Sequence, residues 1–127
     1  MNLALWICAS LLAAVLLLAG LGKLIVRKEK MVTLPNAGWT GHVSVGVYKT
    51  LGALEVAGAA GLVLPAVTGI APVLVPIAAV CTALLMVGAA ITHSRLHEPK
   101  AVLANLVYLG LAVFVAWGRF GPEAFLS

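Results

Sequence analysis

Residues 3–26 read LALWICASLLAAVLLLAGLGKLIV, and residues 27–30 read RKEK. The first run carries a single charged side chain, Lys23. As a helix it would extend roughly 36 Å at about 1.5 Å per residue, and about 20 apolar residues already cross the hydrocarbon core of a bilayer. The run is too long for the apolar region of a secretion signal, and Met1-Asn2 offers no basic start to one. It is therefore read as a retained membrane-spanning helix that stops where the basic cluster begins.

Working outward, three further segments have the same character. They cover about Val43 to Leu64, ending at Pro65, then Val73 to Thr92 after Pro72, then Ala101 to Trp117. The expected fold is all-α, a four-transmembrane-helix bundle forming one domain over residues 1–127. The last segment is only just long enough to span. Pro76 falls near the first turn of the third segment, where its missing N–H costs little. Composition agrees. The chain has 127 residues, 63% of them hydrophobic and 9% charged, and a mean hydropathy of +1.14. A water-soluble domain of this size cannot bury so much apolar surface.

Charge gives the bundle a direction. The loop Arg27 to His42 holds Arg27, Lys28 and Lys30, and the loop His93 to Lys100 holds Arg95 and Lys100. The loop Pro65 to Pro72 has no charge. The positive-inside rule then places the first and third loops in the cytoplasm and both termini outside, an N-out/C-out protein of the cell membrane. Arg119 is the one dissenting basic residue. Trp6, Trp39 and Trp117 fall near the expected interfaces, where amphipathic rings favour the headgroup layer. Residues Met31 to Gly41 are expected along the cytoplasmic interface, with Pro35, Asn36 and Gly38 breaking any helix. The net charge of +4 comes from residues flanking apolar segments, so anionic lipid headgroups rather than nucleic acid are the expected partner.

An ionisable group inside a bilayer is costly and faces the bundle interior or a cavity, so these few residues are where function is sought. Glu55 is the sharpest. It lies about 18 Å into the second segment and cannot reach the interface. Gly52, Ala53, Gly58, Ala59 and Gly61 around it let helices approach closely, which puts Glu55 at a helix seam. It is either a proton- or ligand-binding carboxyl or a structural hydrogen bonder. Lys23 shares a face with Ala9, Ala13, Gly20 and Arg27. Its default reading is an anchor that snorkels to the interface. A contact with Glu55 is the sharper alternative, opposed by the difference in depth unless the helices are staggered or tilted. Lys49 is expected to snorkel, and it points about 120° away from Glu55.

His93 closes the third segment as an interfacial hydrogen bonder or a titrating lid. Asn105 and Tyr108 share a face with Ala112 on the fourth segment, and Tyr48 and Ser44 share the Glu55 face of the second. Lys23, Tyr48, Glu55, His93, Asn105 and Tyr108 thus all fall in the cytoplasmic half. They are expected to form one ligand- or proton-binding pocket beneath an apolar outer half. His42, His93 and His97 lack the close spacing of a zinc site, and no metal is expected. Cys8 and Cys81 form no CxxC pair and are read as small residues facing lipid or the core.

These motifs carry a resemblance. Gly20-Leu-Gly-Lys23-Leu, Leu54-Glu55-Val-Ala-Gly-Ala-Ala-Gly61-Leu-Val-Leu-Pro65 and Gly88-Ala-Ala-Ile-Thr-His93 look like the DoxX-like membrane proteins, over nearly the whole chain. The resemblance implies a small four-helix membrane fold, with Lys23, Glu55 and His93 at the family's recurring polar positions. It also implies a link to membrane redox assemblies, since founding members are associated with a thiosulfate:quinone oxidoreductase.

The chain supplies no redox centre of its own, no phosphate-binding glycine loop and no nucleophile elbow. The balance is against an enzyme. The expected function is a non-catalytic subunit or accessory protein of a membrane assembly, with quinone or lipid as ligand, a redox protein as partner and homo-oligomerisation open. The alternative is a small dimeric proton-coupled transporter using Glu55. Such a chain resembles the small multidrug resistance proteins, although those carry their glutamate on the first helix. A third reading makes Glu55 and His93 acid and base of a lipid-modifying enzyme.

Overall fold

The computed structural model describes residues 2–33, 40–41 and 43–121. All regular structure among them is helical: α1 (Asn2–Ile25), the single-turn α2 (Lys28–Met31), α3 (Val45–Thr68), α4 (Leu74–Arg95) and α5 (Pro99–Phe120). The four long helices are each apolar and long enough to cross a membrane. Trp39, His42 and most of the expected interfacial stretch 31–41 lie outside the described residues.

Several helix ends differ from their expected positions, among them that of α4, which runs to Arg95 rather than Thr92. Pro65 does not stop α3, which runs three residues further to Thr68. Proline is tolerated late in a spanning helix because local partners re-satisfy the freed backbone. Here Gly69 ends the helix instead, at φ 74°, and its N–H donates to the Pro65 carbonyl at 3.0 Å. Glycine reaches this left-handed conformation without a Cβ penalty. Pro99 starts α5 two residues early because proline suits the first helical position. The α5 helix also continues to Phe120, so the segment expected to be marginal spans comfortably.

α1 packs on α3 and α4 on α5, and the two pairs meet over the half of the bundle farther from the basic loops. Leu5, Leu12 and Leu16 of α1, Leu62 of α3, Val75 of α4 and Val115 of α5 are all buried there. Gly61 faces Ala78 and Gly118 faces Leu5, with no room for a side chain at either glycine. In lipid, where apolar burial gives little driving force, such close packing is what holds helices together. Only 28% of each spanning window is buried within the chain. The exposed Leu, Ile and Val residues of all four helices are therefore the lipid-facing surface.

Arg119 is not a stray flanking charge. It is 4% exposed. Its Nη1 donates to Asn2 Oδ1 at 2.8 Å, and its guanidinium lies 5.8 Å from the centre of the Trp6 ring. It joins the start of α1 to the end of α5.

Candidate functional site

The site begins at a crossing of α1 and α3. A Cβ added to Gly20 would lie 2.7 Å from the Gly52 carbonyl oxygen, and one added to Gly52 would lie 2.9 Å from the Gly20 oxygen. Only glycine permits this approach, and it brings the next turns of both helices into register. Lys23 follows Gly20 and Glu55 follows Gly52, each by three residues. The helices run in opposite directions, so the two positions differ in depth by about six residues, or roughly 9 Å. Side chains on a helix lean toward its N-terminus. On antiparallel helices Lys23 therefore leans down toward Glu55 and Glu55 leans up toward Lys23. Lys23 Nζ lies 2.8 Å from Glu55 Oε1, with the side chains only 14% and 12% exposed. The interfacial-anchor reading of Lys23 is corrected, because counting depth at Cα ignores that lean.

Lys49 is corrected as well. Its Nζ donates to the carbonyls of Lys23 at 2.8 Å and Leu24 at 2.9 Å, with Val26 at 3.4 Å. These carbonyls end α1 without helical partners, and a cation there also complements the helix dipole. Tyr48 donates to the same Val26 carbonyl at 3.0 Å. It is fully buried. Tyr48 shares the Glu55 face as expected but sits two turns nearer the basic end, where the close of α1 covers it. Lys49→Met is expected to lower stability by about 1.5–3 kcal/mol, the range for hydrogen bonds to a charged group. Lys49→Arg should retain most of that. Reversible unfolding in bicelles measures both.

The third group lies at the end of α4. The Glu98 N–H donates to the His93 carbonyl at 3.0 Å and the His97 N–H to the Ser94 carbonyl at 3.2 Å. His97 takes the left-handed conformation at φ 56°. This is a Schellman turn, and it folds Glu98 back over the last turn of α4. His93 Nδ1 then lies 2.8 Å from Glu98 Oε1. An ionised carboxylate only accepts, so with Glu98 ionised the contact requires the His93 tautomer or cation that bears a proton on Nδ1. Sequence reading missed Glu98 because it falls in a charged loop. The signal was present as a His and a Glu five residues apart across a helix end.

On the basic side of the apolar core the α1–α3 and α4–α5 pairs separate around a cavity of about 410 Å³. Lys23, Glu55, His93, Asn105 and Tyr108 line it, together with Thr92. Leu16, Leu84, Leu85 and Met86 form apolar wall. Five of the six residues singled out in the sequence thus face one space, and Tyr48 does not line it. Asn105 Nδ2 is buried with no hydrogen-bond partner among the described residues. Cys8 packs beside the apolar core, and Cys81 is exposed on the lipid-facing surface.

The pattern of the DoxX-like family matches residues 7–115, which takes in α1 through most of α5. The chain belongs to the DoxX-like family. No curated protein matches it, and no solved structure does. Family membership and the four apolar helices make this DoxX-like chain a multi-pass membrane protein. The family match includes Lys23, Glu55, His93, Asn105 and Tyr108, and so the whole polar lining of the cavity named above.

Proposed function

We propose that this DoxX-like protein is a non-catalytic accessory subunit of a cell-membrane assembly and holds a lipid-soluble molecule, such as a quinone or a lipid, between its helix pairs. The observation that carries the reading is the cavity. It has the size of a small-molecule site, mostly apolar walls and a few convergent polar groups. An amphiphile entering from the bilayer would keep its apolar part against Leu84, Leu85 and Met86 and its polar head among Asn105, Tyr108 and His93. The basic loops favour the N-out/C-out orientation, which would put the cavity in the cytoplasmic half.

The state of the charged groups supports binding over chemistry. Glu55 and His93 share the cavity, but each is engaged elsewhere, with Lys23 and Glu98 respectively. A general acid or base needs its proton directed at substrate. The same ion pair weighs against a transporter that carries protons on Glu55, because protonating that carboxyl would cost it the ionic contact with Lys23.

Gly88 lines the cavity, and a Cβ added there meets nothing within 4 Å. Gly88→Phe is therefore expected to fold normally and to fill the space. Polymer-extracted native discs carrying the wild type should contain a stoichiometric lipophile and a membrane partner protein by mass spectrometry. Discs carrying Gly88→Phe should lack the lipophile. A wild type recovered alone, with no bound lipophile, would refute the reading.

A further inference from the structure

We infer that the cavity selects an uncharged amphiphile whose head group is a hydrogen-bond acceptor, recognised by Asn105, and that it rejects ionised fatty acids and alkylammonium ions. The inference rests on the ligand-binding reading above and names the ligand class.

Two observations carry it. The first is charge. Among the described residues, the cavity wall contains one cation and one anion, Lys23 and Glu55, in contact at 2.8 Å. Their formal charges cancel, so an incoming carboxylate meets no unbalanced positive charge on this wall. Among the described residues, the remaining titratable groups facing the cavity are His93 and Tyr108, from α4 and α5. His93 faces the Glu98 carboxylate. With His93 neutral that contact adds a net negative charge at the rim, and with His93 charged it adds none. In neither state does the site offer a surplus cation to an anionic head. Burying an uncompensated carboxylate is strongly unfavourable.

The second observation is hydrogen bonding. The unmet group is a donor, Asn105 Nδ2, buried on the α5 side of the cavity. A buried donor left without a partner is costly, and a ligand acceptor removes that cost. An ammonium head carries donors only and cannot do so. An ester or ketone oxygen can, and it brings no charge. Ionised acids are disfavoured by charge and ammonium ions by donor–donor mismatch, and plain hydrocarbons bind more weakly for want of an acceptor. A neutral carbonyl- or ether-bearing lipophile is what remains.

The test uses the full chain in nanodiscs at about pH 9, where laurate is ionised and lysine is still charged. Methyl laurate, laurate, dodecylammonium and tridecane are titrated separately. Methyl laurate is expected to bind at least about tenfold more tightly than either ion. Asn105→Leu should weaken methyl laurate about five- to tenfold, the equivalent of one lost hydrogen bond, and leave tridecane unchanged. A merely structural role for Asn105 would move both ligands together. Glu55→Gln removes the anion from this wall, so it should weaken the discrimination against laurate. Laurate binding as tightly as methyl laurate to the wild type would overturn the selectivity inference and leave the cavity a ligand site. Equal weakening of methyl laurate and tridecane by Asn105→Leu would overturn the assignment of Asn105. Binding of none of the four probes would overturn the ligand-binding reading itself.

Discussion

Glu55→Leu is expected to destabilise the protein by about 3–5 kcal/mol, the cost of breaking a buried ion pair by removing one partner. The size of the effect comes from what is left behind. The Lys23 side chain is 14% exposed beside Glu55, and without the carboxylate its ammonium loses the Glu55 counter-charge inside a low-dielectric wall. The lean of the side chain toward the N-terminus of α1 aims it away from the nearer interface, so it must change rotamer to reach water. The reciprocal change Lys23→Met should cost a similar amount, less whatever Glu55 recovers by taking up a proton. The double variant Lys23→Met, Glu55→Leu removes both charges and should recover at least half of the larger single loss, because well-packed apolar pairs often match the pairs they replace. Steric-trapping or denaturant unfolding in bicelles gives all three values. Single losses that simply add in the double variant would mean that the two groups do not act as a pair.

How much of this was legible beforehand follows from what each inference required. The four spans needed only composition and length, so they were read correctly apart from helix ends. In the sequence the Lys23–Glu55 contact stands only as the alternative to an interfacial anchor, because depth counted along the helix axes opposes it. The missing factor was the direction of the side chains on antiparallel helices, which closes much of the axial gap. Glu98 was hidden for another reason. Its contact with His93 depends on His97 adopting a left-handed conformation, and nothing about a histidine announces that choice. Tyr48 shows the limit of helical phase, which fixes the face of a residue and says nothing of what covers that face two turns away. Arg119 was read through its neighbours in sequence, whereas its partners Asn2 and Trp6 stand at the opposite end of the chain.

The second large effect is expected at the helix crossing itself. Gly20→Val would place its Cβ 2.7 Å from the Gly52 oxygen and 2.8 Å from a Val56 methyl carbon. The first of these is backbone, which cannot rotate away, so α1 and α3 must move apart. Overpacking commonly costs about 1–3 kcal/mol, and the displaced ion pair adds to that because Lys23 and Glu55 are each one turn from the contact. A total of about 3–5 kcal/mol is expected, comparable with removal of Glu55 although no charged group is touched. The two effects separate in a double-mutant cycle. In a background already carrying Lys23→Met and Glu55→Leu, Gly20→Val should cost only its steric share of about 1–3 kcal/mol. Gly110→Val is the control. A Cβ there meets nothing within 4 Å, and its position on the lipid-facing side of α5 predicts a change within about 0.5 kcal/mol. Equal costs for Gly20→Val with and without the ion pair would show that the crossing does not set the geometry of the site. A smaller cost in the double background would show that the glycine contact and the charge pair are one structural unit.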